Sequence, residues 1–335
     1  MRILVTGGAG YIGSHVVRHL KGAGHEPIVL DDLKEGHRAA VEGVRLIQAD
    51  IADRGAVESA FGAGPLDGVI HMAASCLVGE SMQDPARYYD NNVNRTLRFL
   101  DMLAEGGVRR IVFSSTAAVY GDPLAAAGAR SPVPVITEEH PTAPTNVYGE
   151  TKLVIERALG WLCARAGWRA ISLRYFNAAG ADPSGAIGED HAPETHLIPL
   201  VMKAALGIIP HVTVQGRDYP TPDGTCLRDY IHVHDLASAH LLALEALSGG
   251  TGFAVYNLGA EKAVSVLELI EEARRVTGRP IPTLDGPRRP GDPAVLLASS
   301  DRIKRQLGWR PAHSDLATIL STAWTWHSTH PLGYK

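Results

Sequence analysis

The sequence predicts an α/β protein: a doubly wound parallel sheet with helices on both faces, followed by a smaller C-terminal α/β domain. Three observations predict it. Short apolar runs alternate with helix-length amphipathic segments through the first half of the chain, the pattern of a parallel sheet covered on both sides. Asp31, Asp50, Met72, Thr116 and Phe176 all fall at or just past the ends of such runs, where ligands sit in sheets of this kind. Beyond about residue 177 the texture changes: Asn177 to Pro193 is rich in Gly, Ala, Asp and Pro and reads as a loop or boundary. The expected division is 1–177 and 178–335, with some later segments returning to the first domain.

The first apolar run, Arg2–Thr6, ends in Gly7-Gly8-Ala9-Gly10-Tyr11-Ile12-Gly13, and a helical pattern follows from Ser14 to Lys21. Strand, glycine-rich turn and helix form the context of a dinucleotide-binding fingerprint. Gly8, Gly10 and Gly13 fit G-x-G-x-x-G, and Gly7, Gly10 and Gly13 fit a second three-glycine spacing. Glycines there permit a tight turn and let backbone N–H groups approach a pyrophosphate at a helix N-terminus. The bland alternative is a plain βα turn. The next run, Pro27–Leu30, ends in Asp31-Asp32, about 20 residues past the glycines, where a carboxylate would meet an adenosine ribose. Such a carboxylate repels a 2′-phosphate, so NAD is favoured over NADP; otherwise Asp31 is a turn residue.

Further strands are expected at Val44–Ala49, Gly68–His71, Arg110–Phe113 and Ala170–Tyr175, and one long helix from about Ala86 to Ala104. Tyr256–Gly259 reads as another strand end. Ser265–Thr277 reads as an amphipathic helix, with Ser265 as cap and Glu268 at capping-box distance.

The candidate chemistry lies in Asn146-Val147-Tyr148-Gly149-Glu150-Thr151-Lys152. Tyr148 and Lys152 are four apart in a helical pattern and share one face. An unperturbed phenol titrates near 10, and a neighbouring ammonium favours the phenolate. A Tyr so held can serve as general base toward a sugar or alcohol hydroxyl. The alternative is an ordinary amphipathic helix with a solvated Lys.

Composition narrows the classes. The apolar share is 45%, the charged share 20% and the net charge −4, with no cationic cluster, so neither nucleic acid nor a membrane surface is an expected partner. The three cysteines, Cys76, Cys163 and Cys226, are far apart and read as reduced, buried thiols of a cytoplasmic protein. The 15 histidines show no H-E-x-x-H spacing; His232 and His234 read as core or hydrogen-bonded residues, and no metal is expected.

Longer motifs carry a resemblance. They are Val5 to His15, Val78-Gly79-Glu80-Ser81, Tyr88 to Val93, Phe113 to Gly121 and Leu173 to Asn177, then Arg228 to Val233, Tyr256 to Gly259 and Arg288 to Asp292. Nearly end to end the chain resembles the extended short-chain dehydrogenase/reductases, Rossmann-type enzymes, and within them the UDP-sugar 4-epimerases. The resemblance implies reversible epimerisation of UDP-galactose and UDP-glucose on tightly bound NAD. In it Tyr148 takes the 4-OH proton, Lys152 and the nicotinamide charge favour the phenolate, and Thr116 hydrogen-bonds the 4-oxygen. Implied cofactor contacts are Gly7, Gly10, Tyr11, Ile12, Gly13, Asp31, Asp32, Asp50, Ile51, Met72, Ala73, Ala74, Asn91, Tyr148, Lys152 and Phe176. Implied nucleotide-sugar contacts are Thr116, Tyr148, Asn177, His196, Leu197, Thr213, Arg228, Arg289, Asp292 and Leu296. A homodimer through helices near 92–104 and 148–165 is also implied. Three departures stand out: Thr116 where many relatives have Ser, Cys76 where some have Lys, and His196 where some have Asn. Leu296 replaces a bulky Tyr of some relatives, which could admit a 2-acetamido sugar. A 4,6-dehydratase is disfavoured because Ala117-Ala118, not an Asp-Glu pair, follows Thr116.

Overall fold

The computed structural model describes residues 1–62, 64–122, 135–250, 252–289 and 292–334. Pro290 and Gly291 of the Arg288–Asp292 motif lie outside the described residues. The strands are β1 (Arg2–Thr6), β2 (Glu26–Asp31), β3 (Arg45–Gln48), β4 (Gly68–His71), β5 (Arg110–Thr116), β6 (Arg169–Tyr175), β7 (Asn177–Ala179), β8 (Val212–Gln215), β9 (Leu227–His232), β10 (Phe253–Leu258), β11 (Ala263–Ser265), β12 (Thr283–Gly286) and β13 (Val295–Leu296). Seven of them form one sheet in the order β10-β6-β5-β4-β1-β2-β3, with every pairing parallel. β1 and β4 are buried along their whole length, because both faces are covered. Their apolar runs therefore do not alternate with polar residues.

Each face has its own core. On one side α1 (Tyr11–Gly22) packs with the later helix Val233–Ala246, and Val16, Val17, Leu20, Leu236 and Ala243 meet the sheet there. On the other side α2 (Arg54–Phe61) packs with the helices Arg95–Glu105 and Val147–Arg165, which contribute Val57, Phe99, Leu103, Ile155 and Leu159. Truncating such a side chain, Leu103→Ala for example, costs about 2–5 kcal/mol. The strand order changes direction beside β1, so a crevice opens at the carboxyl ends of β1 and β4.

The second half builds a smaller layer. β11, β9 and β13 form a sheet to which β7 adds, β8 pairs with β12, and the helices Leu197–Ala205, Val266–Thr277 and Leu316–Thr329 enclose a separate core around Met202, Leu269 and Leu320. The capping box of the Val266–Thr277 helix is complete: Ser265 accepts from the Glu268 N–H at 3.0 Å, and Glu268 accepts from the Ser265 N–H at 2.8 Å. β10 comes from this half of the sequence yet adds to the large sheet beside β6.

The helix expected from Ala86 to Ala104 is present and runs without a gap through Pro85–Tyr89, a wide π turn at Asp90–Asn94 that the sequence did not predict, and Arg95–Glu105. Asp84 caps the first piece, which begins with Pro85. The extra residue of the wide turn lets Asn91 and Asn92 both face the crevice loop after β4. Turns of this kind favour functional positions.

Candidate active site

The nucleotide end is built from backbone. Gly10 caps α1 without a side chain, so the first N–H groups of the helix stay available to an anion. A Cβ on Gly13 would lie 2.1 Å from the Gly7 carbonyl oxygen, and one on Gly7, at φ +67°, 2.6 Å from the Ala73 nitrogen. Neither position accepts a side chain. Gly13→Ala should therefore lower cofactor retention by an order of magnitude or more, read as absorbance of bound nucleotide after gel filtration; full retention would contradict this reading.

Asp31 accepts from the N–H groups of Ala9 and Leu33, both at 2.9 Å. It is thus a turn residue and still lines the crevice. Its burial raises its pKa above the ordinary carboxylate value. Lys34, the nearest cation in sequence, is tied to Asp32 at 2.5 Å. These residues fit a dinucleotide with a free ribose hydroxyl: an open helix end, a side-chain-free cradle and a carboxylate at the ribose position.

The catalytic end is positioned by the Val147–Arg165 helix. Asn146 caps it, accepting from the Gly149 N–H at 2.8 Å. Gly149 allows the helix to settle on the turn after β5, since a Cβ there would lie 2.6 Å from the Ala118 carbonyl. That contact brings Tyr148 and Thr116 into the wall of one cavity, with the Thr116 hydroxyl favouring the ionised phenol. Lys152 donates to the Ser114 carbonyl at 2.9 Å, and its Nζ lies 5.9 Å from the Tyr148 ring centre. Asn92 braces the assembly. It accepts from the Ser75 N–H at 2.9 Å and donates to the Ser75 carbonyl and the Thr151 hydroxyl, joining the loop after β4 to the Tyr–Lys helix.

The electrostatics correct one expectation. Burial pushes the Tyr148 phenol well above its ordinary value, Tyr175 and Cys76 add to the rise, and the Thr116 hydroxyl works the other way. Lys152 does not overcome this, because it is itself buried and its ammonium is aimed at Ser114. Burial lowers Lys152 to about 8, with Cys76 and Glu156 opposing. Without a second positive charge the phenol stays neutral.

All the expected cofactor residues line one cavity of about 700 Å³: Gly7, Gly10, Tyr11, Ile12, Gly13, Asp31, Asp32, Asp50, Ile51, Met72, Ala73, Ala74, Asn91, Tyr148, Lys152 and Phe176. Asp50 also pairs with Arg95. Of the expected sugar-nucleotide residues, Thr116, Tyr148, Asn177 and His196 share that wall, as does Cys76. Leu197, Thr213, Arg228, Arg289, Asp292 and Leu296 lie outside it. Arg228 pairs not with Asp229 but with Asp292, and is buried. Asp229 faces the other way and accepts from the N–H groups of Ala260, Glu261 and Ala298. Leu296 packs against the apolar cluster of Ala117, Tyr120 and Phe176, one layer behind the wall. Glu189 and His191 also line the cavity, and no sequence expectation named them.

Fold and site together define a dinucleotide-dependent enzyme acting at a hydroxyl-bearing carbon. The sequence matches the family described as "NAD dependent epimerase/dehydratase family" over residues 3–259. The chain belongs to this family. It is 51% identical to the UDP-glucose 4-epimerase of Halalkalibacterium halodurans, over 100% of this chain and 98% of that one. Among solved structures, UDP-glucose 4-epimerase from Bifidobacterium longum in complex with NAD+ and UDP superposes with a TM-score of 0.92 at 37% identity, covering 100% of both chains. The UDP-Glc/GlcNAc 4-epimerase from Campylobacter jejuni gives 0.82 at 38% identity, covering 98% and 99%.

Proposed function

We propose that this chain is a UDP-glucose 4-epimerase, interconverting UDP-galactose and UDP-glucose through a 4-keto sugar. The observation that carries the reading is the meeting of Tyr148, Thr116 and Lys152 in the same cavity as a side-chain-free nucleotide cradle. Full-length relatives bearing that name support it. NAD, held by the Gly7, Gly10 and Gly13 cradle and by Asp31, would supply the acceptor and donor of the C4 hydride and a positive charge in the cavity.

The protein's part is proton transfer and orientation. Tyr148 Oη receives the proton of the sugar 4-OH and gives it back after the ring has turned. Thr116 holds the 4-oxygen and the phenol in one hydrogen-bonded line. The charge on Lys152 and on the cofactor favours the phenolate against the burial that opposes it. Arg228 and Arg289 serve the diphosphate. This requires Arg228 to exchange Asp292 for phosphate oxygens, to which its planar fork donates equally well.

A 4,6-dehydratase needs an acid–base pair beside the Thr. The residues after Thr116 are Ala117 and Ala118 in a tight turn, and neither can move a proton. The test is NMR of purified protein with UDP-galactose and no added cofactor. UDP-glucose as product is expected, with NAD copurifying and recycled. A 4-keto-6-deoxy product would favour the dehydratase, and absence of turnover even with added NAD would remove the epimerase reading.

N-acetylated substrates extend the proposal. Leu296 leaves less bulk behind Ala117 and Phe176 than a Tyr would. UDP-N-acetylglucosamine should turn over, and Leu296→Tyr should reduce kcat/KM for it by on the order of 10-fold or more while sparing UDP-glucose. No turnover of the acetamido sugar, together with an inert Leu296→Tyr, would defeat this.

A homodimer is proposed through the helices Arg95–Glu105 and Val147–Arg165, which expose Leu97 at 38% and Trp161 at 67%. Sedimentation at the monomer mass would exclude it. Among the described residues no helix is long and apolar enough to cross a membrane.

A further inference from the structure

Part of the cavity wall comes from the loop between β7 and the Leu197–Ala205 helix. Within eight residues this loop carries Glu189, His191, Glu194 and His196. One ligand atom from each lies within 4.8 Å of all the others. His196 Nδ1 is 2.5 Å from Glu189 Oε1 and 3.8 Å from Glu194 Oε1. His191 Nδ1 is 3.4 Å from Glu189 Oε1 and 3.8 Å from Glu194 Oε2, and it has no hydrogen-bond partner.

The charge of this cluster is unusual. Both carboxylates are buried, with side chains 6% and 4% exposed. Among the described residues their ion pairs are with His191 and His196 alone, and neither meets a Lys or Arg. A buried carboxylate requires a charge partner. Two carboxylates are balanced either by two imidazolium ions or by one dication held by neutral imidazoles.

We propose that Glu189, His191, Glu194 and His196 form a four-ligand site for a divalent transition-metal cation of the zinc class. Two imidazole nitrogens and two carboxylate oxygens suit a tetrahedral borderline cation. Tetrahedral bonds of about 2.0–2.1 Å set ligand atoms roughly 3.3 Å apart, so the widest pair closes by no more than about 1.5 Å.

The surroundings already hold the ligands in place. Glu194 Oε1 accepts from the N–H groups of Thr195 and His196, which leaves Oε2 toward His191. The Glu189 carbonyl accepts from the Trp326 indole at 3.0 Å, and the Asp190 carbonyl is 3.1 Å from His37 Nε2. Partners behind the ligands orient metal sites in this way.

The groups facing this cluster from other elements are Tyr11, Arg289 and His327.

The inference stands apart from the epimerase reading and is tested by metal binding. NAD-retaining protein is dialysed against a chelator, then titrated with ZnCl2 by calorimetry and with CoCl2 by visible absorption. The expected result is one ion per chain, Kd in the micromolar range or tighter, and the intense visible bands of four-coordinate Co2+. His191→Gln and Glu194→Gln, each checked for retained NAD and native circular dichroism, should weaken binding at least ~100-fold. His234→Asn, in the separate cluster with His15 and His313, should change nothing. Weak six-coordinate Co2+ bands, affinity unchanged in both Gln variants, or loss of binding in His234→Asn would overturn the proposal.

Discussion

Tyr148→Phe lowers epimerisation by at least about 10³-fold, the upper part of the range for loss of a positioned acid–base group. The substitution removes one oxygen and leaves the ring in place. Tyr148 is 8% exposed, and its backbone N–H is fixed to the Ser81 hydroxyl at 3.2 Å, so neither the helix nor the cavity wall should move. NAD retention and thermal midpoint are accordingly expected to stay near those of the parent chain. A variant that keeps a tenth of parental activity would remove Tyr148 from the proton-transfer role.

The pH profile carries further information. Burial raises the phenol, so its conversion to a base depends on positive charge gathered in the loaded cavity. The rate should rise with pH through the phenol's value in the ternary complex. Lys152→Met should move that rising limb to higher pH, because an ammonium that favours the phenolate has gone. An unmoved limb would confine Lys152 to its hydrogen bond with the Ser114 carbonyl.

Some of this arrangement could be read from the sequence and some could not. The glycines before α1 are legible because their spacing encodes a local turn and a helix end. Ser265 and Glu268 are legible for the same reason: a capping box closes within three residues. The π turn at Asp90–Asn94 is not, since its cause is tertiary. Asn92 turns inward because Ser75 and Thr151 are there to meet it, and a helical periodicity shows neither partner. Arg228 illustrates a related gap. Its neighbour Asp229 offers a ready ion pair in sequence, but adjacent residues of β9 face opposite sides of the sheet, and Asp292 becomes the partner. The lowered Tyr148 pKa expected from a Lys four residues on also fails locally, because burial depends on elements distant in sequence. Glu189, His191, Glu194 and His196 crowd one loop, yet they match none of the common metal-site spacings, so proximity in space was their only signal.

Glu156→Leu destabilises the chain by about 3–5 kcal/mol, the range for removing one member of a buried ion pair. Glu156 and Arg174 have side chains 3% and 7% exposed. Arg174 Nε donates to Glu156 Oε1 at 2.9 Å, Ser115 Oγ donates to the same oxygen at 2.5 Å, and Arg174 Nη1 donates to the Tyr120 hydroxyl at 2.9 Å. That hydroxyl donates onward to Asn257 Oδ1 at 2.7 Å, so the chain of bonds ties β5, β6 and β10 together behind Thr116. Burial alone would disfavour the charge on Arg174, but the pairing with Glu156 holds its pKa above the ordinary value. Without Glu156 that charge remains in an apolar setting with only neutral partners. The double variant Glu156→Leu/Arg174→Leu should recover most of the loss in chemical denaturation, because no unpaired charge is left behind. Glu156 also raises the Lys152 pKa against burial, so the single variant should lower the pH at which Lys152 loses its proton. Additive losses in the double variant would show that the pair is not an energetic unit and that the polar bonds around it stabilise the strands independently.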